Sequence, residues 1–172
     1  MKWNNKGNIL IKFKKIKAIL FTAFWKQNGW HQHGVIVHSL RVTYNIIKHK
    51  DYKMIPAGLL HDIGKPLVAY QKPKDIERKE YSFTDHEEKS YEVIKNWPFI
   101  SDYTKKLVRY HYLIRDVHLS YVKGLEDRFY EKSVIYNSLS KEMKEDLRTF
   151  LKYDDLGKGE TKKRKQFKGP LC

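Results

Sequence analysis

Apolar residues recur along this chain at helical rather than strand spacing. From Val35 to Lys48, Ile36, Leu40 and Ile47 share one face, while Val35, Val42 and Ile46 supply a second. A helix apolar on more than one side is expected to be central and buried. Residues 9–26 read as an earlier helix ended by Asn28 and Gly29. Met54 to Gly64 reads as a short apolar helix stopped by Gly64 and Pro66, and Asp85 to Asn96 as another, capped by Thr84 with Pro98 beyond its end. Two more are expected at about 101–114 and about 138–157. No stretch alternates as a strand does, and no repeat is visible, so the expected fold is all-α. Lys65 to Phe83, with two prolines and little periodicity, reads as a long loop, and about 115–137 as a second loop with room for a short helix.

Composition narrows the picture. At 172 residues the chain is expected to form one domain that folds without disulfides or a structural metal. Its 41% hydrophobic and 14% aromatic content excludes wholesale disorder. The only cysteine is Cys172, which excludes a disulfide framework or a thiolate zinc knuckle within one chain. Charge is unevenly spread: of the net +15, residues 1–17 carry +6 and residues 158–172 carry +5, leaving about +4 for 18–157. The expected division is a basic N-terminal helix over 1–29, a central domain over 30–157 and a basic tail over 158–172. Either end suits contact with RNA, DNA or an anionic membrane, or serves as a solvated segment. The longest apolar run, Ala18 to Trp25, is eight residues against the roughly twenty that cross a bilayer. With no small-residue cleavage pattern after that run, the expected location is the cytoplasm.

Candidate chemistry lies in the histidines. Four of the eight stand on or at the ends of predicted helices: His38, His61, His86 and His111. Asp62 directly follows His61, and Asp154 and Asp155 stand together in KYDDLGKG. Imidazole and carboxylate together suit borderline divalent ions. Neighbours on a helix project about 100° apart, so His61 and Asp62 cannot clamp one ion as an i, i+4 pair does. At the end of a buried helix, one can bind an ion from the side while the other reaches across to a second. The apolar residues around them, Ala57, Leu59, Leu60 and Ile63, require Asp62 to have a partner charge. A plain hydrogen-bonded His–Asp pair in the core satisfies the same pattern.

Five blocks in order, WHQHGVIVHSLRV, LLHDIGKP, FTDHEEKS, RYHYLIRD and LKYDDLGKG, resemble the HD-domain superfamily of metal-dependent phosphohydrolases over about residues 30–157. The spacing is most similar to the HD domains of bacterial tRNA nucleotidyltransferases and of related phage and bacterial hydrolases. The resemblance implies a helical bundle with a buried metal site between central helices. It implies that His38, His61, Asp62 and Asp154 hold a first ion and that His86 and His111 match the added histidines of the two-metal branch, with Asp62 bridging. Asp155 stays open as the alternative last ligand. The implied cofactor is one or two divalent ions, whether Mn, Ni, Co, Fe, Zn or Mg.

The implied reaction is attack of a metal-activated hydroxide on phosphorus in a nucleotide, cyclic nucleotide or RNA-end phosphate, with Asp62 and Lys65 as its catalytic residues. Lys65, four residues after His61, is the first candidate for substrate phosphate, followed by Arg109, Arg115 and Arg41; each arginine also suits a structural salt bridge. His31 and His33 are open between support of the ligands and capping roles, and His118 between proton donation and the surface. His49, between lysines, is expected to be exposed. Two other classes share the pattern: a di-iron oxygenase of a small polyol or phosphonate, and a nucleic-acid-binding module with a structural metal site.

Overall fold

A computed structural model describes residues 27–160. The helix expected over 9–26 lies outside the described residues, as do the basic ends apart from 158–160. Helix α1 spans Val35–Lys48, as its pattern predicts. Its two apolar faces fare differently. Val35, Val42 and Ile46 are buried, whereas Ile36, Leu40 and Ile47 are 42%, 55% and 47% exposed. The expectation of burial on both sides fails because the helices that pack most closely on α1 lie against its Val42 and Ile46 side.

The next segment departs from the expected single helix. A 3₁₀ turn over Tyr52–Met54 leads into α2, Ile55–Leu60. The chain then tightens into three-residue turns: Ile63 N–H donates to Leu60 O, Lys65 to Asp62 O and Leu67 to Gly64 O. Gly64 and Pro66 therefore do not end the helical run. Pro66 opens a further turn, α3 over Lys65–Val68, in the position where its missing N–H costs nothing. Pro73 likewise begins α4, Pro73–Arg78, and a single antiparallel bridge between Tyr70 and Ser82 closes the excursion. The expected 65–83 loop is thus partly helical, because both prolines fall where they start helices.

Helix α5, His86–Ile94, follows Asp85, which takes a left-handed φ of 55°. Thr84 does not cap it; its hydroxyl pairs with Tyr70 Oη at 2.8 Å. Ser101 caps α6, Asp102–Tyr110, by accepting the Thr104 N–H at 3.2 Å. The chain turns at His111 and Tyr112 and continues as α7, Leu113–Val122, and α8, Glu126–Ser138. The expected 115–137 loop is therefore largely helical. Its apolar pattern is weak because α8 buries no residue fully; Arg128 instead holds Asp116 with two 2.8 Å contacts. Ser140 caps α9, Lys141–Gly157.

The core joins Val42 and Ile46 of α1, Met54, Ala57 of α2, Ile94 of α5, Leu107 and Val108 of α6, and Leu147, Phe150 and Tyr153 of α9. Burying each large apolar side chain stabilises the fold by roughly 1.5–3 kcal/mol. Among the described residues no helix is long and apolar enough to cross a membrane.

Gly64 packs the α2–α3 turn closely against α5. A Cβ there would lie 2.4 Å from Ser90 N and 2.8 Å from His86 O, and Gly64 N–H donates to Ser90 Oγ at 2.9 Å. Both obstructing atoms are backbone, so the helix itself would have to move. Gly64→Ala is expected to cost about 2 kcal/mol in denaturant unfolding. Unchanged stability would show that this contact is looser than described.

Candidate metal centre

Four helix ends and one helix body deliver the six polar residues of the interior. His38 comes from the middle of α1 and Asp154 from the last turn of α9, with His38 Nε2 2.8 Å from Asp154 Oδ1. His61 follows α2, Asp62 stands in the tight turn after it, His86 begins α5, and His111 follows α6. All six are buried.

The rings are oriented by the backbone. Nδ1 of His61, His86 and His111 lies 3.0, 2.9 and 2.7 Å from the carbonyls of Gly58, Phe83 and Val108, each three residues earlier. A ring nitrogen facing a carbonyl carries the proton, so each Nε2 is left as a lone pair directed inward. Asp62 stands between these nitrogens and His38 Nε2. Its Oδ2 is 3.5 Å from His38 Nε2 and 3.3 Å from His61 Nε2, while its Oδ1 is 3.4 Å from His86 Nε2 and 3.8 Å from His111 Nε2. Asp154 Oδ1 joins the first group, 3.8 Å from His61 Nε2.

Two sets of donors, His38–His61–Asp62 and Asp62–His86–His111, thus each gather within 4.8 Å and share one carboxylate. Ligands at about 2.0–2.2 Å from a common ion stand roughly 3–3.5 Å apart, close to this spacing. Both Asp62 oxygens are buried without a hydrogen bond. Lys65 Nζ forms an ion pair with Oδ2 at 2.7 Å. A buried carboxylate ringed by imidazole lone pairs fits a divalent cation and is poorly satisfied without one.

Electrostatics disfavours protonation of most of this donor set. Burial, then Lys65, pushes His86 down to about 4. Burial together with His61 and His86 holds His111 well below its ordinary value, and burial outweighs Asp154 in lowering His38. Burial opposes ionisation of Asp62, but His61 and Lys65 hold it well below the usual carboxylate range. Burial likewise opposes ionisation of Asp154, and Lys158 and His38 overcome it. His61 is the exception: burial disfavours its charge, yet Asp62 and Asp154 raise it.

The remaining sequence candidates take distinct places. Lys65 is buried and donates to Gln27 Oε1 at 2.7 Å. The three-residue turn aligns it with Asp62 rather than, as a continuous helix would, with His61. Asp155 faces Arg115, whose Nη2 is 2.6 and 2.7 Å from its two oxygens. Arg109 is held by Glu88 at 2.8 and 3.0 Å, and Arg41 Nε donates to Gly157 O at 3.3 Å. His49 and His118 are exposed.

Sequence reasoning missed Lys158, grouping it with the basic tail. It is buried, 2.8 Å from Asp154 Oδ2 and 2.7 Å from Asp155 Oδ1. Its position three and four residues after two aspartates was a readable signal. Also unforeseen is a cavity of about 440 Å³ between α5, α6, α7 and α8, lined by Glu87, Glu88, Arg109, Asp116, Arg128 and Lys132. Glu87, which burial pushes up to about 7, lines this cavity and stands 3.3 Å from His86 Nδ1.

A family model described as HD domain matches residues 35–152, more than half of the chain. The protein belongs to the HD-domain family, whose members are in general metal-dependent phosphohydrolases. The match contains His38, His61, Asp62, His86 and His111, and Asp154 stands two residues beyond it. No curated protein matches the chain.

The lowered histidines predict how the metal-free protein responds to acid. Between the unfolded value near 6.5 and about 4, the unfolded chain binds a proton at His86 that the folded chain does not. His38 and His111 act in the same direction and His61 opposes them. Unfolding free energy measured in denaturant should therefore fall from pH 7 to pH 5, by at most about 1.4 kcal/mol per pH unit for each contributing histidine. Constant or rising stability over that interval would contradict the arrangement.

Proposed function

We propose that this protein is a metal-dependent phosphomonoesterase or phosphodiesterase acting on a nucleotide, cyclic nucleotide or RNA-end phosphate. The observation that carries the reading is Asp62, with one oxygen facing His38 and His61 and the other facing His86 and His111. His38, His61, Asp62 and Asp154 would hold a first divalent ion, and Asp62, His86 and His111 a second. Mn, Ni, Co, Fe, Zn and Mg all belong to the class such oxygen and nitrogen donors take. Ions of this kind supply Lewis acidity and a water acidic enough to serve as nucleophile near neutral pH.

The protein's own groups supply the rest. Lys65 beside Asp62 and Lys158 beside Asp154 keep both carboxylates ionised and oriented. Arg109, paired with Glu88, lines the cavity and would be the arginine to meet a substrate there. Arg115 and Arg41 grip Asp155 and the Gly157 carbonyl, and so steady the end of α9. The cavity falls in the range of about 300–1,000 Å³ typical of small-ligand sites, which supports a nucleotide-sized substrate. Resemblance to the HD domains of tRNA nucleotidyltransferases points the same way, and the basic ends suit contact with a nucleic acid in the cytoplasm.

The test is hydrolysis of bis(p-nitrophenyl) phosphate and of 2′,3′-cyclic nucleotides by the full chain with Mn²⁺, Co²⁺ or Ni²⁺. Wild type should turn over at least one ester in a metal-dependent way, and Asp62→Asn should lose about 100-fold or more. Equal behaviour of the two on every ester would overturn the reading. The donor set also fits a two-iron oxygenase, and substrate-dependent oxygen uptake by the iron-loaded protein, without ester hydrolysis, would favour that instead.

A further inference from the structure

The imidazoles of the centre are not supported alike. His61, His86 and His111 each have a carbonyl acceptor for Nδ1, three residues back. His38 has none. It sits inside α1, where the Gly34 carbonyl is taken by its own backbone N–H, and its Nδ1 is buried without a hydrogen bond. Yet its Nε2 is committed to the centre, 2.8 Å from Asp154 Oδ1 and 3.3 Å from His61 Nε2. An imidazole that gives Nε2 to a metal carries its proton on Nδ1, and leaving that N–H buried and unpaired is costly.

The neighbouring ring carries a complementary atom. His31 is buried, and its ring meets that of His38 edge-on, with centroids 5.0 Å apart and planes at 89°. His31 Nδ1 lies 2.9 Å from Asn28 Oδ1. The same oxygen accepts the Trp30 N–H at 3.0 Å, which identifies it as an acceptor rather than the amide nitrogen. His31 therefore bears its proton on Nδ1, and its Nε2 is an acceptor, also buried and without a partner.

Two features hold the rings in this relation. Gln32 N–H donates to Lys158 O at 2.9 Å, tying the His31 loop to the end of the helix that carries Asp154. A Cβ at Gly157 would come within 3.2 Å of both Nδ1 and Cε1 of His38, so the glycine leaves that ring edge uncrowded.

We propose that His31 is a positioning residue for the centre. Its Nε2 accepts the His38 Nδ1–H across the gap between the rings and so holds His38 with Nε2 toward the metal. The proposal rests on the metal-centre reading but not on the reaction assigned to it.

The experiment is Co²⁺ binding to the full chain, followed by chelator competition and visible absorption. His31→Phe keeps a ring but removes the acceptor, whereas His31→Gln restores an acceptor near the Nε2 position. His31→Phe should bind Co²⁺ about 10–100-fold more weakly than wild type, with shifted d–d bands. His31→Gln should recover most of the affinity and the wild-type bands. Identical affinity and bands in wild type and His31→Phe would overturn the proposal, as would a His31→Gln no better than His31→Phe.

Should His31→Phe fail to fold, the Zn²⁺-loaded wild type decides. Its histidine-ring ¹⁵N spectra should show His31 protonated on Nδ1 and a His38 Nδ1–H protected from exchange. A His31 protonated on Nε2 would overturn it. Wild type that binds Co²⁺ but hydrolyses no ester would refute the reaction and leave this inference standing. Wild type that binds no Co²⁺ would remove the centre on which both rest.

Discussion

Asp62 is a fully buried carboxylate whose two oxygens face two different pairs of imidazoles, and the interior is organised around satisfying it. Removing such a charge from water costs several kcal/mol unless cations or donors replace the lost hydration. Here the surrounding rings mostly offer lone pairs rather than protons. Lys65 is the one lysine or arginine in contact with the carboxylate among the described residues. The structure is thus arranged to receive further positive charge at that point, and the helices are placed accordingly.

The means are local. Three-residue turns after α2 bring Asp62 and Lys65 to the same side, which a continuous α-helix would not do as closely. Gly64 lets this turn press against the start of α5 and so puts His86 beside Asp62. His61 and His111 use the ends of α2 and α6, where carbonyls remain available to orient Nδ1. His38, enclosed in α1, has no such carbonyl and must find its support from outside its own helix. Lys158 completes the frame by fixing Asp154 and Asp155 from beyond the end of α9.

Helices with a strong apolar stripe were legible: α1 has the bounds its periodicity predicts, and α9 lies within its expected span. The HD motif and its flanking histidines were legible as a set because they stand on helices or at their ends in a fixed order. What pattern alone could not convey was tertiary. Helix α8 is stabilised by ion pairs such as Arg128–Asp116 rather than by a buried stripe, and so read as a loop. Pro66 and Pro73 read as breakers because sequence does not reveal that each falls in a first helical turn. Asp154 and Asp155 were indistinguishable by type; only their neighbours, His38 for one and Arg115 for the other, separate them. Lys158 was hidden by the charge run it begins.

A carboxylate that faces two donor sets with separate oxygens can join two metal positions. Electron paramagnetic resonance of the Mn²⁺-loaded full chain tests it most directly, because ions sharing a carboxylate couple magnetically. Two Mn²⁺ per chain are expected, with an exchange-coupled spectrum that Asp62→Asn abolishes. A single isolated Mn²⁺ signal, the same in wild type and Asp62→Asn, would contradict it.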